Sequence, residues 1–337
     1  AEHLPNAWTR LCVRQADALR LLARADGDAT EFAALEGCAT AARRSELVLL
    51  HDRGVAPGRA AGWRSLQPGM PLHHVAAPAD SARVARLMTG RGVGLVLSGG
   101  GARGFAHLGV VRALRESGLP IDLVGGTSMG GIMGAGVAAG WAPEEMRERF
   151  SRAFVASNPL SDFTLPLVSL VAGREVARRL RTEFGDAAIE DLPLPFFCVS
   201  ADLSAGRVQV HDAGTLWQAL RASIAIPGVL PPVLAGGEVL VDGGTMNNLP
   251  VDVMRGLGRG PVIGVDVGAD RAFRSDLEEA ELPSLWDCCR QRRRRPGILQ
   301  ILWRAGMVNS AEDSASQRDR ADLLLRPALE AVDLLDW

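Results

Sequence analysis

The sequence lacks an excess of charge of either sign and contains few cysteines. Its 337 residues carry 37 basic and 39 acidic side chains, and a formal net charge of −2 offers no electrostatic attraction for nucleic acid. The five cysteines are odd in number and form no CxxC pair, which argues against a disulfide framework and a zinc site. We therefore expect no nucleic-acid partner, no metal and a reducing, cytoplasmic compartment.

The first residues, Ala-Glu-His-Leu-Pro, have neither a basic start nor an apolar run, so we expect no signal peptide. No internal repeat is visible in the sequence. One window, residues 123–141, is uncharged over nineteen residues and could be read as a membrane span. Its seven glycines and its position after a strand-like segment favour a buried strand, turn and helix instead. We expect no transmembrane span in this chain.

Strand-like and helix-like segments alternate along the middle of the chain. Apolar runs such as Val93–Leu97 are typical of buried parallel strands, and stretches such as Ala106–Ser117 are typical of helices. The alternation predicts an α/β fold with helices on both faces of a mostly parallel sheet. We place this domain at residues 91–270, after a small N-terminal α/β unit at 1–90 and before a partly helical tail at 271–337.

A glycine-rich loop follows the first buried strand of this domain. Residues 98–104 read Ser-Gly-Gly-Gly-Ala-Arg-Gly and precede a helix, so their backbone N–H groups can converge on an anion. Gly99, Gly101 and Gly104 also fit the GxGxxG pattern of dinucleotide-binding folds, with Asp122 at a distance suited to a ribose. By itself the loop leaves open an anion site, a nucleotide site and a tight strand-to-helix turn.

The next strand ends in a second motif, Gly126-Thr127-Ser128-Met129-Gly130, which is a GxSxG sequence between a strand and a helix. Such a nucleophile elbow needs small residues two before and two after its serine, because the turn is strained and the helix backbone passes close to the strand. With the elbow at one strand end and the glycine loop at its neighbour, the loop N–H groups can face the oxyanion that forms when Ser128 attacks a carbonyl. The two motifs together favour a serine esterase.

A serine hydroxyl is a poor nucleophile unless a base removes its proton. The six histidines are badly placed, since four precede the domain, His107 follows the glycine loop by one helical turn and His211 closes a strand. Asp242 is the better candidate, because it ends an apolar strand and a Gly-Gly turn follows it. Burial would have to raise the pKa of this carboxyl from its reference of about 3.9. Asp202 and Asp266, each at or inside a strand-like run, are the reserve candidates.

Three further features carry weaker signals. Arg103, within the glycine loop, could neutralise a substrate phosphate or brace the loop, and we assign it a supporting role. The uncharged segment 222–237 could line an apolar entrance for acyl chains or form a buried crossover. The basic run at 290–295 is typical of a solvated face and could add attraction to an anionic bilayer.

Three segments resemble the signatures of patatin-like phospholipases: GGGARGFAHLGV at 99–110, GTSMG at 126–130 and DGG at 242–244. Neighbouring segments, notably ASIAIPGVLPPV at 222–233 and DGGTMNNLPVDVMR at 242–255, resemble the neuropathy target esterase branch of that family, whose members are lysophospholipases. The resemblance implies a three-layer α/β/α fold, a Ser128–Asp242 dyad without histidine and an acyl-enzyme on Ser128. It also implies an oxyanion hole formed by Gly99, Gly100 and Gly101, and no metal or cofactor.

The leading hypothesis is a lysophospholipase or related carboxylic-ester hydrolase, bound peripherally to the cytoplasmic side of a membrane. Two alternatives stay open. A catalytically silent lipid-binding module would keep the fold without turnover. A dinucleotide-binding oxidoreductase would use the glycine loop, but it has no use for the elbow at Ser128 or for the late Asp-Gly-Gly.

Overall fold

The chain folds around two sheets, a three-stranded sheet near its start and an eight-stranded sheet in its middle. The structure is a computed structural model. It describes residues 6–29, 44–55, 57–66, 69–156, 158–268, 301–302, 305, 313–329 and 331–332. The basic run at 290–295 lies outside these ranges, as does most of the predicted tail.

The N-terminal sheet is parallel and small. Its strands are β1 (Leu19–Arg24), β2 (Ser45–Leu50) and β3 (Leu72–Val75), and the helices around it are α1 (Ala7–Gln15), α2 (Ala60–Leu66) and α3 (Pro78–Met88). β2 lies between the other two strands, and its Leu47 and Leu49 pack with Trp63 of α2 in a separate apolar core. Helix α3 starts sharply because Pro78 occupies its first turn and the carboxylate of Asp80 accepts two backbone N–H groups that precede the helix.

The central sheet and its helices occupy residues 94–265, with one further strand near the C-terminus. The strands are β4 (Gly94–Leu97), β5 (Leu123–Thr127), β6 (Phe196–Asp202), β7 (Arg207–His211), β8 (Val233–Ala235), β9 (Glu238–Asp242), β10 (Val262–Val265) and β11 (Leu323–Leu325). The helices are α4 (Ala106–Glu116), α5 (Met129–Ala138), α6 (Pro143–Phe150), α7 (Arg174–Phe184), α8 (Leu216–Ser223) and α9 (Val251–Gly256). Residues 313–320 are also helical.

The strands follow the order β11-β10-β4-β5-β6-β9-β8, with β7 paired to β6. Five neighbours, from β11 to β6, are parallel, whereas β7 and β9 run antiparallel to β6, and β8 antiparallel to β9. The predicted tail does more than append a partly helical segment, because its residues 323–325 form the edge strand β11. The domain boundaries at 90 and 270 stay predictions.

Two strands meet end to end along one edge of β6. β5 runs parallel to β6 and reaches Val199 with Thr127, while β9 arrives from the opposite direction and reaches Ser200 with Asp242. Because β7 occupies the other edge of β6 over the same residues, β5 and β9 must share this edge. Their carboxyl ends therefore meet at adjacent positions.

The side chains of the central strands alternate between two apolar cores, one on each face of the sheet. Leu95, Leu97 and Val124 belong to the core that α4, α5, α6, α7 and α8 cover. Val96 and Leu123 belong to the core on the other face, which α3 and α9 cover. This period of two between buried helical layers confirms the predicted α/β fold with three layers and a mostly parallel sheet.

The uncharged window at 123–141 is the central strand β5 followed by helix α5. All ten residues of α5 are buried, which explains why this stretch is as apolar as a membrane segment. Within the described ranges, no helix combines the length and the hydropathy that a membrane crossing would need.

A buried carboxylate joins α3 to the start of the central sheet. Asp122, which precedes β5, accepts hydrogen bonds from Arg86 Nε (2.9 Å), Arg86 Nη2 (2.6 Å) and the backbone N–H of Val93 (2.9 Å). Asp122 thus lies at the amino end of β5, whereas the glycine loop follows the carboxyl end of β4. The dinucleotide interpretation therefore lacks the ribose ligand that it needs.

We predict that Asp122→Ala lowers the free energy of unfolding by roughly 2–4 kcal/mol, because it leaves the Arg86 guanidinium and the Val93 N–H without their acceptor. Urea unfolding followed by circular dichroism measures the change. The matched control is Glu116→Ala, which removes an exposed partner of Arg112 and should leave the unfolding curve unchanged. Equal curves for the two variants would contradict this account.

Candidate active site

Ser128 occupies a strained turn between β5 and α5. Its backbone angles are φ 52° and ψ −124°, and among the described residues it is the one non-glycine residue with positive φ. Such a conformation costs about 1–3 kcal/mol and persists only where the surroundings enforce it. A side chain at Gly130 would collide with the carbonyl oxygens of Leu97 and Ser98, and one at Gly126 would lie 2.6 Å from the Gly130 carbonyl. The geometry is that of the predicted nucleophile elbow.

The structure brings Ser128 and Asp242 together. Ser128 Oγ donates a hydrogen bond of 2.8 Å to Asp242 Oδ2, and both side chains are buried. The pair spans 114 positions of the sequence. It forms because Ser128 follows the end of β5 and Asp242 ends β9, and these two ends meet along β6.

The carboxylate of Asp242 is held in a fixed orientation. Its Oδ1 accepts the backbone N–H of Gly244 (2.8 Å), and its own N–H donates to the carbonyl oxygen of Ala225 (2.9 Å). Burial raises the pKa of Asp242 to about 7, against the opposing effect of the hydrogen bonds from Gly244 and Ser128. A carboxyl group with this pKa can accept and return a proton near neutral pH.

Ser223 is a site residue that sequence reasoning missed. Its Oγ, at the end of α8, accepts the backbone N–H of Ser128 at 2.9 Å and so stabilises the turn. Ser223 belongs to the uncharged segment 222–237, whose residues 222–226 are buried, as the crossover interpretation expects. A buried hydroxyl in an apolar run was the available signal, but no spacing rule links it to a turn 95 positions away.

The glycine loop passes directly beside Ser128. A side chain at Gly99 would lie 2.6 Å from Asn248 Oδ1 and 3.2 Å from Ser128 Cβ, so glycine lets the loop pass here without displacing either residue. The N–H of Gly99, however, donates to the carbonyl oxygen of Asn248 (3.2 Å), and Asn248 Nδ2 donates back to the Gly99 carbonyl (3.2 Å). In the part of the chain that the structure describes, the N–H groups of Gly100 and Gly101 have no acceptor. Of the three predicted oxyanion donors, these two are available.

Two side chains brace the glycine loop. Arg103 is buried, and its Nε donates to the backbone carbonyl of Val332 at 2.8 Å, which ties the loop to the C-terminal segment. His107 donates from Nε2 to the carbonyl oxygen of Ser98 at 2.9 Å. Burial lowers the pKa of His107 to about 4, although the bond to Ser98 opposes this effect. His107 is thus a buried residue that packs beneath the glycine loop, and the hydrogen bonds of the site do not join it to Asp242 or Ser128 Oγ.

The reserve carboxylates are engaged elsewhere. Asp202 accepts the N–H of Ser204 (2.9 Å) and Arg207 Nε (3.3 Å), and although burial acts the other way, these bonds lower its pKa. Asp266 accepts Arg318 Nε at 2.6 Å. Both carboxylates are engaged with arginines, whereas Ser128 Oγ donates to Asp242, so neither competes with Asp242.

Fold and site together define an α/β protein with a nucleophile elbow and a buried serine–aspartate pair. Residues 95–255 match the patatin-like phospholipase family, and residues 2–92 match the P-loop-like domain of the neuropathy target esterase family. The chain belongs to the patatin-like phospholipases, in the neuropathy target esterase branch, as the sequence resemblance predicted.

Curated relatives agree with this assignment. Patatin-like phospholipase domain-containing protein 6 of Homo sapiens is 36% identical, over 78% of this chain and 22% of the relative. Neuropathy target esterase sws of Drosophila melanogaster is 33% identical, over 78% of this chain and 21% of the relative. Lysophospholipase nte1 of Aspergillus fumigatus is 34% identical, over 99% of this chain and 26% of the relative. The chain thus spans about a quarter or less of these relatives.

One solved structure, VipD from Legionella pneumophila, is similar over 55% of this chain and 51% of that chain, with a TM-score of 0.38 and 16% sequence identity.

We predict that Asp242→Asn stabilises the fold, more at pH 8 than at pH 4. The unfolded aspartate loses its proton near its ordinary pKa of 3.8, and the folded one near 7. Between these values the folded state holds the extra proton, so stability falls as pH rises and the full penalty remains above pH 7. Asparagine does not ionise, so the free energy of unfolding of the variant should exceed that of the wild type by an amount that grows by roughly 2–4 kcal/mol from pH 4 to pH 8. Urea unfolding at both pH values measures it.

Asp202→Asn is the matched control for this experiment, and the opposite sign is expected. The pKa of Asp202 is lowered in the folded state, so its ionised form stabilises the fold above its unfolded pKa and the stabilisation is lost as pH falls. Removal of that charge should therefore destabilise the protein at pH 8. A difference between Asp242→Asn and the wild type that did not vary with pH would contradict the raised pKa of Asp242.

Proposed function

We propose that this chain is a serine esterase that hydrolyses acyl esters of lysophospholipids and related lipids, with Ser128 as nucleophile and Asp242 as its base. The observation that carries the proposal is the 2.8 Å hydrogen bond from Ser128 Oγ to Asp242 Oδ2 inside a buried elbow. The relatives include a protein named as a lysophospholipase, which supports a lipid ester as the substrate.

In the first half of the reaction, Asp242 removes the hydroxyl proton of Ser128 while Oγ attacks the acyl carbonyl carbon. The strained turn holds Oγ on the carboxylate, so little conformational freedom is lost on reaching the transition state. The carbonyl oxygen becomes an oxyanion, which the free N–H groups of Gly100 and Gly101 are placed to stabilise. The C–O bond of the ester then breaks, and the leaving alcohol takes the proton from Asp242.

In the second half, a water molecule gives a proton to Asp242 and attacks the acyl group on Ser128. The carboxylic acid is released as the Ser128–acyl bond breaks, and Ser128 regains its proton from Asp242. A base with a pKa of about 7 suits both directions of transfer, because it accepts and returns the proton at similar cost near neutral pH. We assign Arg103 a supporting role, since it braces the glycine loop through Val332.

We predict that Ser128→Ala and Asp242→Asn each reduce hydrolysis of p-nitrophenyl butyrate by at least about a thousandfold, because each removes one member of a unit that acts together. The matched control is Glu116→Ala, on the exposed face of α4, which should keep wild-type turnover. A fluorophosphonate probe should label the wild type at Ser128, and mass spectrometry locates the adduct. Unlabelled, inactive wild-type protein would favour a silent lipid-binding module instead.

We predict that kcat/KM for the same ester rises with pH and reaches half its maximum near pH 7, since only ionised Asp242 can accept the proton and its pKa is about 7. A stopped-flow or plate assay between pH 5 and 9, with the fold checked by circular dichroism at each pH, gives the profile. A midpoint near the ordinary pKa of aspartate would show that a different base is used.

A further inference from the structure

One loop of the catalytic domain exposes apolar side chains to solvent. Residues 163–168 read Phe-Thr-Leu-Pro-Leu-Val, and all six are exposed. The exposed fractions are 70% for Phe163, 72% for Leu165, 83% for Leu167 and 67% for Val168. Isolated exposed leucines are common on protein surfaces, but four large apolar side chains within six uncharged residues form a contiguous patch that marks an interaction site. We call residues 163–168 the apolar loop.

The apolar loop is held in place by backbone hydrogen bonds at its base. Phe163 forms a β-bridge with Val171, and the N–H of Thr164 donates to the carbonyl oxygen of Leu170 at 3.1 Å. The chain that follows the loop is also bound to the rest of the domain, since the N–H groups of Leu170 and Val171 donate to the carbonyl oxygens of Gly228 and Val229. The loop therefore projects from a fixed base, and its tip is not folded back onto the core.

The base of the apolar loop lies close to the serine–aspartate site. The carbonyl oxygen of Gly228 accepts the N–H of Leu170, at the base of the loop, at 2.9 Å. Gly228 lies five residues after Ser223, whose hydroxyl accepts the N–H of Ser128. Five residues span at most about 18 Å even when fully extended. Ala225, between them, accepts the N–H of Asp242, so one short segment bonds both the site and the loop. The base of the loop is thus tied to the same short segment that bonds Ser128 and Asp242.

The helix that follows the apolar loop exposes arginine side chains. Helix α7 begins at Arg174, six residues after the loop ends, and contains four arginines and two glutamates. Arg178 pairs with Glu175, Arg181 pairs with Asp186, and Asp162 accepts the N–H of Arg174, so acidic groups lie among these arginines. Arg174, Arg178 and Arg181 are exposed. An apolar tip beside exposed arginines complements a phospholipid surface, in which phosphate groups overlie an apolar layer. A protein partner would not require exposed arginines beside an apolar tip.

We propose that the apolar loop inserts into the apolar layer of a phospholipid surface and holds the Ser128 site against it. The choice of lipid as the partner rests on the proposed esterase function, whereas the loop and its position are independent of it. The exposed arginines of α7, the helix that follows the loop, then supply contacts to the lipid phosphates. Lipid substrates then reach Ser128 from the surface without passing through bulk water.

Co-sedimentation with vesicles of phosphatidylcholine and phosphatidylglycerol (4:1) tests the proposal on the full chain. All proteins carry Ser128→Ala, so that vesicles are not hydrolysed and binding is measured apart from turnover. The test variant adds Leu167→Asp and Val168→Asp. The matched control adds Leu119→Asp and Leu257→Asp, which are 44% and 49% exposed and lie at the amino end of the sheet, before β5 and β10.

We expect the vesicle partition coefficient to fall at least tenfold in the loop variant, since burial of one Leu or Val in an apolar phase exceeds the free energy of a tenfold change. The control should bind as the parent does. Equal binding by the loop variant and the parent, or no binding by the parent, would overturn the proposal. A dimer that the loop variant converts to monomer, with vesicle binding unchanged, would also overturn it and assign the loop to contacts between copies.

A second variant, Leu167→Trp, keeps the loop apolar and guards against misfolding of the aspartate variant. We expect it to bind vesicles at least as tightly as the parent, and brominated lipids should quench more of its tryptophan fluorescence than they quench in the parent. No added quenching would contradict insertion. If the wild type did not hydrolyse p-nitrophenyl butyrate, the esterase proposal alone would be contradicted, because the vesicle-binding measurements involve no turnover.

Discussion

The end-to-end meeting of β5 and β9 along one edge of β6 is the constraint on which the rest of the site depends. A fully parallel sheet would place the carboxyl end of every strand beside its neighbour, with each side chain one strand spacing of about 4.8 Å apart. Here the antiparallel strand β9 delivers Asp242 to Ser200 just where β5 ends at Val199. Ser128 and Asp242 can therefore share a hydrogen bond without a histidine between them.

The same arrangement buries the carboxyl group of Asp242, and that burial has two opposite effects. It raises the pKa of Asp242 to about 7, which a proton acceptor at neutral pH needs, and it makes the ionised form costly to the folded state. The positive φ of Ser128 adds strain at the same place. The apolar layers on both faces of the sheet supply the stability that offsets these costs. The central sheet is thus the rigid support of a locally unfavourable site.

Much of the fold could be predicted because it rests on local patterns. Apolar runs marked the parallel strands, and the two glycine motifs marked tight strand-to-helix turns, since a side chain at Gly130 or Gly104 has no room. Three features could not be predicted. Ser223 supports the turn at Ser128 from 95 positions away, Asn248 occupies the N–H of Gly99, and residues 323–325 complete the edge of the sheet. Each is a contact between distant segments, for which sequence spacing carries no signal.

The sequence by itself determined which residues are the candidates for catalysis and which local conformations they adopt. The GxSxG turn, the glycine loop and the Asp-Gly-Gly turn depend on backbone geometry within a few residues, and the identity of those residues dictates that geometry. Only the tertiary structure decided which carboxylate reaches Ser128. Asp202, Asp242 and Asp266 all end or follow strands, but only the direction and register of β9 bring Asp242 to Ser128 Oγ. Arginine neighbours engage the other two, because pairing among charges depends on distances in space.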